Sequence, residues 1–142
     1  MNLCTDPTPI KLTNPEGYLS SAVALRTECG FHTAPWVLQA KPGQQIQISF
    51  VEFNTSEAHY NSAAASSLDC KERAFLMDMP AGRKIKICPR PTRVSDVYTS
   101  VNNTLEVTIP RRSVIDDNNH FLIHYQCKFI SKIALLCPLV FI

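Results

Sequence analysis

Trp36-Val37-Leu38-Gln39-Ala40-Lys41-Pro42-Gly43-Gln44-Gln45-Ile46-Gln47-Ile48-Ser49-Phe50 reads as two strands joined by a turn. Trp36, Leu38 and Ala40 share one face of an extended chain, because successive side chains alternate in a strand. Trp36 is in phase with Leu38, which makes it a core anchor. Lys41-Pro42-Gly43 supplies the turn. Ile46, Ile48 and Phe50 then alternate with Gln45, Gln47 and Ser49. The phase slips at Val51, and Val51 and Phe53 continue the apolar set, as a β-bulge would produce.

The same period of two recurs on the C-terminal side. Phe75, Met77 and Met79 alternate up to the turn Pro80-Ala81-Gly82, and Ile85 and Ile87 alternate with Lys84 and Lys86. Val97-Tyr98-Thr99 leads to a turn at Asn102-Asn103. Leu105, Val107 and Ile109 follow, and Pro110 ends that strand by withholding a backbone donor. Asp116-Asp117-Asn118-Asn119 is a further turn, and Phe121, Ile123 and Tyr125 share one face of the last clear strand. Residues 54–69 read as a long polar loop, with a short helix open to Ala63-Ala64-Ala65. Seven or more short strands with punctuated turns predict an all-β protein, an antiparallel jelly-roll-type β-sandwich.

Composition narrows the function. The chain has 142 residues, a length suited to one domain. Charged residues make up only 18% and the formal net charge is +2, so nothing argues for nucleic acid as a partner. Six cysteines form no CxxC pair, which speaks for disulfides rather than zinc. Asn54-Thr55-Ser56 and Asn102-Asn103-Thr104 match the N-glycosylation sequon, which marks Asn54 and Asn102 as candidate glycan carriers. Met1-Asn2-Leu3-Cys4, followed by Asp6, Pro7 and Pro9, has no apolar run of a secretory signal. A piece of a longer secreted or membrane-anchored protein is therefore expected, with an extracellular location. The end of the chain, from Phe129 to Ile142, is apolar after Lys132 but too short for a bilayer, which needs about 20 residues. Residues 128–142 are read as a truncated transmembrane start or a gene-model scar, with a last buried strand as the alternative. Contact with a membrane is expected only through such an anchor.

Between Cys4 and Tyr125 the order of motifs resembles the CUB domain family, extracellular β-sandwiches of about 110 residues. Leu12-Thr13-Asn14-Pro15-Glu16-Gly17-Tyr18 resembles the opening turn of that family. Trp36-Val37-Leu38-Gln39-Ala40 with Pro42-Gly43-Gln44 resembles its W-x-I-x-A strand and turn, and Ile46 to Phe53 its I-x-L-x-F-x-x-F strand. Ser100-Val101-Asn102-Asn103-Thr104-Leu105-Glu106-Val107 and Phe121-Leu122-Ile123-His124-Tyr125 resemble its closing strands. Residues 1–127 are accordingly assigned to one CUB-like domain. The resemblance implies disulfides Cys4–Cys29 and Cys70–Cys88, each contributing about 3 kcal/mol through closure of its loop. One departure is Ala34, which stands where the family places its second cysteine, so Cys29 would pair from a displaced loop. Cys127 and Cys137 lie outside the pattern, with Cys127 left to pair with Cys137 or with a missing module.

Many members of that family hold calcium through three acids. Here Glu57 could serve as the first, but Arg73 stands at the second position and Arg111 or Arg112 at the third. Guanidinium groups reverse the charge a hard cation needs, so no cofactor is expected and a family-type calcium site is not. Asp69, Asp116 and Asp117 leave a rearranged site open. The same Arg73, Arg111 and Arg112 are expected to converge at one edge and bind an anionic partner, since arginine matches carboxylate and sulfate geometry.

His120 and His124 lie four residues apart on a strand, about 13 Å, too far for one metal ion. There is no G-x-S-x-G elbow, and no pairing of carboxylates is legible. The chain is thus expected not to be an enzyme. It reads as a non-catalytic extracellular module that recognises a protein partner, presenting loops 54–69, 80–83, 89–96 and 110–119 on a rigid scaffold. The alternatives are an accessory domain of an extracellular protease or membrane receptor whose other modules are missing here, and a different, intracellular sandwich with free thiols.

Overall fold

The computed structural model describes residues 4, 6–53, 72–80, 82–89, 92–113 and 120–129. In chain order the elements are β1 (Ile10–Leu12), β2 (Glu16–Ser20), α1 (Ser21–Thr27), β3 (Trp36–Gln39) and β4 (Gln44–Glu52). They continue with β5 (Ala74–Met79), β6 (Arg83–Ile87), β7 (Val94–Thr99), β8 (Thr104–Thr108), a 3₁₀ turn (Arg111–Ser113) and β9 (Phe121–Phe129). Two sheets form, a five-stranded one in the order β1-β3-β8-β5-β6 and a four-stranded one in the order β2-β9-β4-β7. The protein is an all-β sandwich.

The alternation seen in the sequence becomes the core. Leu38, Ile46, Ile48, Phe50, Leu76, Leu105, Val107, Phe121 and Ile123 are fully buried, while their odd-phase neighbours face out. Each large side chain of this kind contributes roughly 1.5–3 kcal/mol by leaving water. Trp36 packs in the same cluster. Its ring lies against Gly30, where φ is +93° and an added Cβ would come within 2.2 Å of the indole. Glycine is required there twice over, by conformation and by space.

The structure corrects several sequence expectations. One pair of strands, β1 and β3, runs parallel, with Ile10 opposite Trp36. The chain crosses to the other sheet through β2 and α1 before it returns, so both strands run the same way. Residues 12–18, read as a turn, contain the end of β1 and the start of β2. The bulge exists, but on the neighbouring strand: Ile48 faces Tyr98 and Ser49 faces Asp96, which leaves Val97 as the extra residue of β7. Strand β4 itself keeps its phase against β9 throughout, from Gln44↔Phe129 to Glu52↔Phe121. Glu52, not Val51 or Phe53, is therefore the inward residue; Glu52 is 2% exposed and Phe53 47%. Finally, β9 runs past residue 127 to Phe129, and β7 begins inside the loop expected over 89–96.

Helix α1 closes one end of the sandwich. Ser20 caps it, with its Oγ accepting from the Val23 N–H at 3.3 Å. Ser21 is buried and its Oγ accepts from the Phe121 N–H at 3.0 Å, which fastens the helix to β9. The helix ends at Glu28, in the left-handed region at φ 65°, whose N–H donates to the Ala24 carbonyl at 2.8 Å. Among the described residues no helix is long and apolar enough to cross a membrane.

Candidate functional site

Three chain segments meet at one corner of the five-stranded sheet. The pairing of Phe75 with Thr108 sets the residues before β5 beside those after β8. The Ile109 N–H donates to the Gly30 carbonyl at 2.8 Å, which draws in the segment after α1. Glu72-Arg73, Arg111-Arg112 and Glu28 to His32 are thereby assembled from distant parts of the sequence.

The three arginines expected at this edge have different fates. Arg111 stays at the surface, 2.6 Å from the Glu28 carboxylate, with its guanidinium 4.3 Å from the centre of the Phe31 ring. The hydrogen bond from Arg111, followed by its charge, holds the Glu28 carboxyl below its usual range against an opposing push from burial. Arg112 is exposed and pairs with Glu72, whose side chain is buried. Arg73 turns inward: it is 5% exposed, and its Nε lies 3.4 Å from Glu52 Oε2. Arg73 is therefore a partner of the buried acid on β4 and no part of a three-arginine surface. A charge inside a sandwich needs an opposite charge, and Glu52 is that charge.

A third buried acid lies at the other end of β5. Asp78 is 2% exposed; its Oδ2 accepts from the Tyr98 hydroxyl at 2.6 Å and from the Val101 N–H at 2.7 Å. Burial first, and then the hydrogen bond and charge of Asp78, push the Tyr98 phenol up to about 12, while Arg83 pulls the other way. Tyr98 belongs to the four-stranded sheet and Asp78 to the five-stranded one, so this hydrogen bond also joins the sheets.

Beside Arg112 a shallow cavity of about 280 Å³ opens onto the outer face of the five-stranded sheet. Phe75 and Pro110 supply its apolar surface above the buried Ile109, and His32, Lys84 and Glu72 border it. Lys84 Nζ stands 4.2 Å from the centre of the Phe75 ring, a cation–π contact. Sequence reading named Phe75 and Lys84 only as members of alternating strands and gave them no part in a site. The sequence marked Phe75, Met77 and Met79 as the apolar set of this strand, whereas β5 turns them outward and buries Ala74, Leu76 and Asp78. The register that sets Phe75 opposite Lys86, one pleat from Lys84, was not legible.

The remaining expected residues are dispersed. Cys4 and Cys29 are joined by a disulfide with a Cα–Cα distance of 5.1 Å, tying the N-terminal segment to the end of α1. Cys88 is disulfide-bonded, and Cys70 lies outside the described residues. Cys127 is a half-buried free thiol, and burial pushes its pKa up. Asn102 sits half-buried in the turn between β7 and β8, its carbonyl accepting from Ser100 Oγ at 2.5 Å. Asn54, Glu57, Asp69, Asp116, Asp117 and Cys137 lie outside the described residues. Among the described residues no three His, Cys, Asp or Glu side chains gather as metal ligands would. His124 Nε2 instead lies 2.6 Å from Glu16 Oε2, and the ring packs 4.8 Å from Tyr18.

No family model matches the chain. No curated protein matches it either. Among solved structures the chain is similar to the full extracellular region of zebrafish Gpr126/Adgrg6, at 16% identity and a TM-score of 0.47. The likeness covers 89% of this chain and 15% of that one.

Proposed function

We propose that the chain is a CUB-like, non-catalytic extracellular domain that recognises a protein partner. The observation that carries this reading is the Cys4–Cys29 cystine, a bond that persists in oxidising compartments. It fastens the leading segment to the end of α1, so the surface around the corner cavity is held on a fixed scaffold. The motifs that carry the CUB resemblance fall on β2, β3, β4, β8 and β9 in that order. The buried acids support a scaffold role as well. Glu52 and Asp78 face Arg73 and Tyr98 across the sandwich rather than a cleft.

The test is secretion from animal cells as a tagged soluble chain, followed by binding to a panel of cell surfaces. The expected result is a secreted protein that carries an N-glycan at Asn102 and binds at least one surface saturably. Retention inside the cell, or an absence of saturable binding across the panel, would overturn the proposal.

A further inference from the structure

Among the described residues that line the corner cavity, positive charges outnumber negative ones. Arg112 and Lys84 stand at its border, and Glu72 is its one carboxylate among the described residues. Glu72 is committed to Arg112, whose side chain is nevertheless 67% exposed. A guanidinium has five N–H donors and one carboxylate takes at most two, so Arg112 keeps donors directed outward. Lys84 is exposed, rests on Phe75, and forms no ion pair with a carboxylate among the described residues. The cavity's apolar surface comes from the half-buried Phe75 and Pro110.

We infer that this cavity binds an acidic peptide segment of a partner protein. A carboxylate sits between Lys84 and Arg112, and an adjoining apolar side chain covers Phe75. The inference rests on the recognition role proposed above and names its ligand. Three features select the ligand. The cations call for an anion, and the planar guanidinium suits a carboxylate. The apolar surface gains from burial only if the ligand brings an apolar group beside its charge. A sulfated glycan brings charge alone and leaves Phe75 wet. The volume of about 280 Å³ lies just below the range of small-molecule pockets and fits one or two side chains.

The test is a nuclear magnetic resonance titration of the full ¹⁵N-labelled chain with its disulfides intact. The probes are acetyl-Leu-Glu-Phe-amide, its neutral counterpart acetyl-Leu-Gln-Phe-amide, and a heparin tetrasaccharide. The Glu peptide is expected to shift the amides of Phe75, Lys84, Thr108 and Ile109 saturably. The Gln peptide, and the Glu peptide on Lys84→Glu, are expected to bind about tenfold more weakly or worse. Lys84 is exposed, so charge reversal there leaves the core intact, and unchanged amide positions away from the cavity verify this. Arg112→Ala is the less suitable variant, because it strips a buried carboxylate of its partner. A response to heparin alone, an equal response to both peptides, or no saturable shift at these amides would overturn the inference. A chain that binds cell surfaces but ignores the Glu peptide keeps its recognition role and loses this site. A chain that does neither loses both.

Discussion

The two ends of strand β5 bury ionisable groups between the sheets and stabilise them by different means. At the start, Arg73 meets Glu52, charge against charge, with both side chains nearly sealed from water. At the end, Asp78 is held by a phenol and a backbone N–H. The first arrangement removes two charges from water and depends on their mutual attraction to offset that cost. The second removes one and spreads it over two dipoles. The difference teaches that the ion-pair end should respond sharply to loss of one partner, and the hydrogen-bonded end by degrees.

The largest expected effect follows from breaking the ion pair. Arg73→Ala leaves Glu52 as a buried charge and should cost about 3–5 kcal/mol in chemical denaturation. Replacing both residues by leucine should recover most of that loss. A cost for Arg73→Ala well under that of Tyr98→Phe would erase the contrast between the two ends.

Tyr98→Phe comes next. It removes one of two donors to Asp78 and should cost roughly 1.5–3 kcal/mol, the range for hydrogen bonds to charged groups. The same variant sharpens the comparison through pH. The folded phenol titrates at about 12, above its ordinary value of 10.0. Its contribution is therefore complete below pH 10 and is lost as pH rises through about 12. The stability gap between the parent chain and Tyr98→Phe should be constant from neutral pH to about 10 and narrow above it. A gap that stays constant to pH 12 would contradict the Asp78 hydrogen bond.

The smallest effect belongs to the exposed corner. Arg111 and Glu28 pair in contact with solvent, where screening leaves such pairs little stabilising effect. Arg111→Ala should be indistinguishable from the parent in denaturant. The lowered Glu28 carboxyl sets the sign of any residual contribution: it is present above the ordinary value of 4.5 and fades as acid protonates it. A large loss from Arg111→Ala would show that burial is not what separates these ion pairs.

Much of the sandwich was legible in the sequence because period two survives in β3, β4, β8 and β9, where apolar residues mark nearly all inward positions. In β5 the outward Phe75, Met77 and Met79 are the more apolar set, and the inward face carries Asp78. The reading failed where the inward residue is charged. Glu52 occupies an inward site of β4, so the pattern seemed to slip to Val51 and Phe53. Arg73 failed for the same reason, since a lone arginine beside a strand reads as surface and its acid lies on another element. Helix α1 was overlooked although Ser20 and the run Ala22-Val23-Ala24-Leu25 carried a cap and helix-forming residues. Its seven residues are too few to establish a period of 3.6. The corner cavity could not be foreseen, because it depends on the register between β5, β6 and β8, which no local pattern encodes.

The measurement that tests the account most directly is peptide mass spectrometry of the folded, secreted chain without reduction, after alkylation of free thiols. The account predicts a Cys4–Cys29 linked peptide, an alkylated Cys127, and Cys88 in a disulfide. Cys4 and Cys29 both recovered alkylated from well-folded protein would contradict the oxidised scaffold, and with it the extracellular recognition role.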